Sequence, residues 1–164
     1  MPQHHGAPTP AIVALVAAGV PHTLHAYEHD PESDLGYGLE AAAAIGVDPS
    51  RVFKTLCVEA DGALAVAIVP VDAMLDLKSL ASALGAKKAA MAEAATAERA
   101  TGYVVGGISP IGQKRRLTTV LDSSALEFDA VYVSGGRRGL DVGLAPGDLV
   151  KVTGAITAPI ARQS

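Results

Sequence analysis

Two apolar segments joined by Asp61-Gly62 constrain the fold of this chain more than any other feature. Residues 52–59 and 63–69 are rich in apolar and β-branched side chains, and Asp-Gly between two such runs is a strong signal for a tight hairpin. We therefore predict two antiparallel strands here. Short helical and extended patterns alternate irregularly on both sides of the hairpin, which favours an α+β domain with a curved mixed sheet over a doubly wound parallel sheet.

Caps and periodicity predict short helices and strands along the rest of the chain. Thr9 and Asp76 are suited to begin helices, and Gly19, Gly46 and Gly85 are suited to end them. The predicted helices lie at residues 10–18, 39–45, 77–83 and 92–99, with a last helical turn at 148–152. The predicted strands outside the hairpin lie at residues 23–29, 87–90, 118–121, 130–133, 140–144 and 155–157.

The length and charge of the chain limit its class. Its 164 residues predict one domain over residues 9–160 after a loose tail at 1–8. A domain of this size needs no disulfide, and the single cysteine, Cys57, predicts a reduced, cytoplasmic protein. The sequence contains neither an apolar run long enough to cross a membrane nor a secretory signal. The net charge of −4 argues against non-specific duplex binding, although several short Lys/Arg clusters leave a local anion site open.

Residues 101–114 (TGYVVGGISPIGQK) form a glycine-rich loop that is typical of a binding site. Gly106 and Gly107 expose backbone N–H groups without a Cβ to block a ligand, and Pro110 stiffens the turn. A second glycine-rich run, SGGRRGLD, follows at 134–141. Merely connecting loops do not need this much backbone specification, so the two loops together predict a pocket.

Two common enzyme motifs come close to this sequence but fail. Residues 107–114 (GISPIGQK) approach the phosphate-binding loop, but Gln113 stands where that loop needs lysine, and Arg115 stands where it needs serine or threonine. Neither Ser109 nor Ser134 lies in the G-x-S-x-G pattern of a nucleophile elbow. We therefore predict neither nucleotide hydrolysis nor a serine triad.

The histidines do not predict a metal site. His22, His25 and His29 are close in sequence, but their spacing matches no metal-binding motif, and one cysteine cannot build a zinc site. The sequence therefore predicts no metal.

Lys54 is the charged residue that stands out in the first strand of the hairpin. A lysine inside an apolar strand is costly unless its ammonium reaches a partner, a pocket or solvent. It either extends to water from an edge strand or holds a polarised carbonyl or a phosphate beside the glycine loop. Asp141, between Leu140 and Val142, leaves a similar choice between an exposed strand position and a carboxylate that orients a loop or a ligand amine.

The chain resembles the YbaK family of Cys-tRNA(Pro) deacylases, free-standing relatives of the editing domain inserted in bacterial prolyl-tRNA synthetases. The matching segments follow the family's order and cover nearly the whole chain after the tail. They are TPA (9–11), HAYEHDP (25–31), FKTL (53–56), LDLKSLASALGAKK (75–88), RATGYVVGGISPIGQKRRL (99–117) and YVSGGRRGLDVGLAPGDL (132–149). The resemblance implies an α+β fold with flanking helices and a mixed, partly barrel-like sheet, and no metal or other cofactor.

The resemblance also implies the site. Lys54 matches the lysine that the family needs for deacylation. The residues that it implies for substrate binding are Tyr27, Thr55, Gly106, Gly107, Ile108, Ser109, Pro110, Ser134 and Asp141. The stretch from Gly106 to Pro110 matches the family's G-x-x-x-P loop, which faces the aminoacyl ester and the terminal adenosine of tRNA.

The implied activity is hydrolysis of the ester that joins a wrong amino acid to tRNA. In the family the thiol of the cysteine substrate is thought to attack its own carbonyl, so the protein supplies no nucleophile. The implied partners are the aminoacylated end of tRNA and prolyl-tRNA synthetase. Two alternatives stay open at this point: a deacylase for tRNA mischarged with alanine or serine, and a non-catalytic module that binds the acceptor end or a synthetase.

Overall fold

The turn at Asp61-Gly62 forms as the sequence predicts. The structure, a computed structural model, describes residues 8–28 and 36–163, so the predicted tail apart from Pro8 and the whole of His29 lie outside these ranges. Asp61 and Gly62 have positive φ values of 50° and 86°, which suit a two-residue hairpin turn. The flanking strands pair in antiparallel register along their full lengths. The predicted hairpin is confirmed.

Short helices alternate with short strands along the described chain. The helices are α1 (Pro10–Ala17), α2 (Tyr37–Ile45), α3 (Leu77–Leu84), α4 (Ala94–Thr101) and α5 (Pro146–Thr153). The strands are β1 (Thr23–Ala26), β2 (Phe53–Ala60), β3 (Ala63–Pro70), β4 (Ala73–Leu75), β5 (Ala89–Met91), β6 (Thr118–Asp122), β7 (Val131–Arg137), β8 (Leu140–Leu144), β9 (Ile156–Ala158) and β10 (Ala161–Gln163). Short 3₁₀ turns lie at Pro49–Arg51 and Ser123–Glu127.

The strands form three sheets. The largest has the order β5-β2-β3-β6-β9, in which β3, β6 and β9 run parallel and the other pairs are antiparallel. A second sheet has the order β1-β8-β7, and the third pairs β10 with β4. A parallel bridge between Val52 and Tyr132 connects the two larger sheets. The predicted α+β domain with a mixed sheet is confirmed, but within the described ranges the sheets stay open and do not close into a barrel.

The core lies on both faces of β3, the central strand of the largest sheet. Val66 and Ile68 pack into one apolar cluster with α1 and α5, whereas Ala67 and Val69 pack into a second cluster with α3. A strand buried on both faces reads as a continuous apolar run, which is why this segment has no polar alternation. The core therefore fixes the hairpin from both sides.

Most of the predicted helix ends are confirmed. The Thr9 hydroxyl accepts a hydrogen bond from the Ile12 N–H, and the Asp76 carboxylate accepts from two N–H groups at the start of α3. The helical turn predicted at 148–152 is instead the full helix α5, and β4 and β10 were not predicted. Among the described residues, none of the helices is both long and apolar enough to cross a membrane.

Candidate active site

The candidate site lies along an edge of β2 that is only partly paired. β3 pairs with β2 along its whole length, but on the other edge β5 pairs only with residues 58–60, and β7 reaches it only through the Val52–Tyr132 bridge. Between these two points, no strand in the described chain pairs with this edge. A cavity of about 340 Å³ opens there.

Seven of the ten predicted site residues line this cavity, the others being Gly107, Ser109 and Pro110. The seven are Tyr27, Lys54, Thr55, Gly106, Ile108, Ser134 and Asp141. They come from five segments of the sequence and meet because β2, β7, β8, the loop before β6 and the residue after β1 converge at the free edge. Their roles in binding or catalysis stay predictions, but the structure brings them to one place.

The Lys54 ammonium is held at the cavity by residues that follow β3. Its Nζ donates a hydrogen bond of 2.9 Å to the carbonyl oxygen of Ala73. Burial lowers the pKa of Lys54 from its ordinary value, and the negative charge of Asp72 partly opposes this. An ammonium carries three donors, so two remain for a ligand oxygen after the bond to Ala73.

Asp141 and Ser134 are opposite each other on adjacent strands. They are register partners in the β7–β8 pair, which places their side chains on the same face of the sheet. Only 5% of Asp141 is exposed, and burial raises the pKa of its carboxyl to about 7. The Ser134 hydroxyl accepts from the Gly136 N–H at 3.1 Å. This wall of the cavity therefore carries a carboxyl whose ionisation is opposed by desolvation.

Thr55 presents unused polar groups at the free edge of β2. Its Oγ1 is buried and has no hydrogen-bond partner among the described residues. The Cys57 carbonyl accepts from the Ala92 N–H on this same edge. Because the main-chain groups of every second residue point to the same edge of a strand, the N–H and carbonyl of Thr55 also point to this edge. Buried polar atoms without partners are rare in proteins, so this hydroxyl is a candidate contact for a ligand or a water molecule in the cavity.

The glycine-rich loop reaches the cavity through Gly106 and Ile108. Two contacts fix Val105, the residue before Gly106: its N–H donates to the Glu98 carboxylate at 2.8 Å, and Arg138 Nε donates to its carbonyl at 2.9 Å. The second glycine-rich loop therefore holds the first one in place.

Gly107, Ser109 and Pro110 lie in the buried part of the loop, outside the lining of the cavity. A Cβ on Gly107 would lie 2.7 Å from backbone atoms of Arg137 and Arg138, so glycine permits the two loops to pack together. The Ser109 hydroxyl is fully buried and accepts from the Ile111 N–H at 3.2 Å. In this geometry the three residues shape the loop, and their direct contact with a substrate stays a prediction.

Comparison with known proteins identifies the family. The sequence profile described as the aminoacyl-tRNA editing domain matches residues 38–152. This chain belongs to the aminoacyl-tRNA editing domain family. It is 39% identical over 120 residues to EbsC of Enterococcus faecalis, a protein provisionally named as a Cys-tRNA(Pro)/Cys-tRNA(Cys) deacylase, with 73% of each chain covered.

Two further proteins are similar to this chain, one in sequence and one in fold. This editing domain is 37% identical over 73 residues to a proline–tRNA ligase of Moorella thermoacetica, which covers 44% of the chain and 13% of the ligase. The crystal structure of a candidate trans-editing enzyme for prolyl-tRNA synthetase superposes with a TM-score of 0.80 at 23% identity, covering 93% of this chain and 95% of the other. The resemblance drawn from the sequence is confirmed.

The apolar wall of the editing domain's cavity was not predicted from the sequence. Its members share no motif and come from helix, strand and loop. They are Gly38, Val52, Phe53, Leu56, Cys57, Val71, Met91, Ala92, Ala94, Ala97 and Val105. Only the matches at 53–56 and 99–117 gave a signal for any of them, because the others reach the cavity through strand pairing and helix packing.

The nucleophilic and metal-binding side chains near the site are accounted for. Burial raises the pKa of the Cys57 thiol, which keeps it protonated. His25 Nε2 lies 2.8 Å from the Thr23 hydroxyl, and its ring packs edge-on against Tyr132. Across residues 8–28 and 36–163, no three His, Cys, Asp or Glu side chains group together in a way that could hold a metal ion.

Proposed function

We propose that this editing domain hydrolyses the ester of a mischarged aminoacyl-tRNA and that Cys-tRNA(Pro) is its substrate. The observation that carries the proposal is the position of the Lys54 ammonium at an apolar cavity, where two of its three N–H donors remain for a ligand. A cation in such a site stabilises negative charge that develops on an ester oxygen. The similarity to EbsC, named for this deacylation, supports cysteine as the amino acid.

The attacking group in this proposal belongs to the substrate. Among the described residues that line the cavity, Cys57 carries a thiol that burial keeps protonated, and there is no histidine to take a proton from the hydroxyl of Thr55 or Ser134. The thiol of an esterified cysteine lies within reach of its own carbonyl carbon, and such intramolecular attack gains several kcal/mol from proximity.

The bond changes balance without a further reactant until the last step. The substrate sulfur bonds to the carbonyl carbon, the bond from that carbon to the ribose oxygen breaks, and the ribose oxygen takes the proton that the thiol loses. Cysteine leaves as a cyclic thiolactone, which water then opens to the free amino acid. Lys54 holds either the carbonyl oxygen, on which negative charge develops, or the adjacent phosphate.

The partners follow from the reaction. The proposed substrate is the aminoacylated acceptor end of tRNA, and prolyl-tRNA synthetase is the proposed source of that substrate and a binding partner. The similarity to part of a proline–tRNA ligase supports this link. The reaction needs neither metal nor cofactor, and its place in translation implies a cytoplasmic protein.

Single-turnover hydrolysis of Cys-, Ala- and Pro-tRNA(Pro) tests the proposal. We expect rapid release from Cys-tRNA(Pro), with the thiolactone trapped by hydroxylamine before it opens, and slow release from the other two. A preference for alanine would move the activity to a sister class of editing enzyme. Bound tRNA with no release from any of the three would instead favour a binding module.

A further inference from the structure

The Asp141 carboxyl is a buried acid without a hydrogen-bond partner in the described part of the chain. It is 95% buried, and among the described residues no side chain or main-chain group forms a hydrogen bond with it. Lys54, which lines the same cavity, donates instead to the Ala73 carbonyl, and His25, the register partner of Asp141 on β1, lies 2.8 Å from the Thr23 hydroxyl. Desolvation by burial is the cause of the raised pKa of Asp141. A carboxyl in this position needs a donor that the described residues do not provide.

A second buried acceptor lines the same cavity. Thr55 Oγ1 lacks a partner among the described residues, although a hydroxyl can accept as well as donate. The cavity wall between β2 and β8 therefore offers a carboxyl and a hydroxyl, set among apolar side chains such as Phe53 and Val71. Each group can accept a hydrogen bond from a positively charged donor in this cavity.

An aminoacyl ester carries one such donor. Its α-ammonium has three N–H bonds, and it lies one atom from the carbonyl carbon that reacts. The amino-acid side chain proposed above is a thiol, and the ribose hydroxyls are uncharged, so neither can compensate a carboxylate in this way. Hydrogen bonds between charged partners are about twice as strong as neutral ones and are strongest where water is excluded.

We propose that Asp141, with Thr55, binds the free α-ammonium of the aminoacyl group and restricts the domain to esters of unblocked amino acids. The inference rests on the proposed function, because it assigns a part of that substrate to this wall. An N-formylated or peptidyl ester has no α-ammonium, leaves the carboxyl without a partner and carries extra volume there. Aminoacyl-tRNA with a blocked amine therefore escapes cleavage.

Binding of two stable analogues tests this without requiring turnover. The probes are 3′-deoxy-3′-(L-cysteinylamino)adenosine and its N-acetyl derivative, titrated calorimetrically into the whole protein under reducing conditions. We expect wild type to bind the free amine about 10- to 100-fold more tightly, as for a buried hydrogen bond to a charged group. Asp141→Asn is expected to bring the two affinities to within about threefold, mainly by weakening the free amine. Thr55→Val is expected to reduce the difference in part.

The controls separate charge from size and from folding. Asp129→Asn removes an exposed aspartate that does not line the cavity, and it is expected to leave the preference unchanged. Equal affinities in wild type, or failure to bind either analogue, would overturn the inference. It would also be overturned if Asp141→Asn, folded by circular dichroism, kept the wild-type preference, because size alone would then explain the rejection of the N-acetyl group.

Hydrolysis assays separate this inference from the proposed function. Cleavage of Cys-tRNA(Pro) together with cleavage of its N-acetyl form at the same rate would overturn the inference and leave the proposed function intact. Failure to cleave Cys-tRNA(Pro), together with an Asp141-dependent preference for the free-amine analogue, would overturn the proposed function and support the inference.

Discussion

Replacing Asp141 with asparagine is expected to stabilise the folded protein by an amount that grows with pH. The carboxyl is buried, and its pKa rises from 3.8 to about 7 on folding. The folded state therefore binds a proton between these pH values that the unfolded state has already released. Stability falls as pH rises through this window, because unfolding becomes coupled to release of that proton.

The size of the effect follows from the pKa difference. The pKa of Asp141 differs by about three between the folded and unfolded states, and a pKa difference of one corresponds to about 1.4 kcal/mol. The loss of stability therefore reaches at most about 4 kcal/mol once pH exceeds 7. Below about pH 4 the carboxyl is protonated in both states, and the cost disappears. Asparagine has nearly the same shape and no charge, so the variant avoids this cost at every pH.

Urea denaturation from pH 4.5 to 8.5 measures the difference in free energy of unfolding between wild type and Asp141→Asn. Asp129→Asn is the matched control, since that aspartate is exposed. We expect the Asp141→Asn advantage to increase steadily with pH while the control stays within about 0.5 kcal/mol of wild type. An advantage that does not change with pH, or a variant less stable than wild type at pH 8, would refute the reasoning.

Three further predictions follow from the loops and from the proposed substrate. Gly107→Ala should lower stability by about 1–3 kcal/mol and reduce deacylation, because the new Cβ meets backbone of Arg137. Gly147→Ala serves as the control in thermal and activity assays, because a Cβ at Gly147 meets nothing within 4 Å. Arg138→Ala should raise KM about 2- to 10-fold with little change in melting temperature, since it frees the Val105 carbonyl at the mouth of the cavity; an unchanged KM would count against the loop contact. The log–log dependence of tRNA affinity on salt should be negative, by about 0.7 for each single-strand phosphate contacted, and a flat dependence would exclude contacts between the basic clusters and phosphate.

Local chemistry explains the parts of the fold that could be predicted from the sequence. Asp61-Gly62 specifies its turn through positive φ, and Asp76 begins α3 by accepting from N–H groups only two and three residues away. By contrast, β4 and β10 have three residues each and pair with one another across most of the chain. The turn into β10 depends on the Asp122 carboxylate, which accepts from the N–H groups of Ile160 and Ala161. No short-range pattern carries that information.

The candidate site was predictable in its polar residues and not in its shape. Lys54 and Asp141 stood out because charged groups inside apolar strands are costly. Ser109 stood out as a polar group in a glycine-rich loop, yet it is fully buried and bonds within the loop. The cavity itself exists because β5 and β7 leave the middle of one β2 edge unpaired, and strand pairing is a property of the whole fold.

The most direct test of the central claim is single-turnover hydrolysis of Cys-tRNA(Pro) by wild type and Lys54→Ala, with Lys87→Ala as an exposed-lysine control. If the Lys54 ammonium stabilises the transition state, Lys54→Ala should lose about 10²–10³-fold in rate while remaining folded, and Lys87→Ala should match wild type. A folded Lys54→Ala protein that keeps most of the wild-type rate would contradict the account.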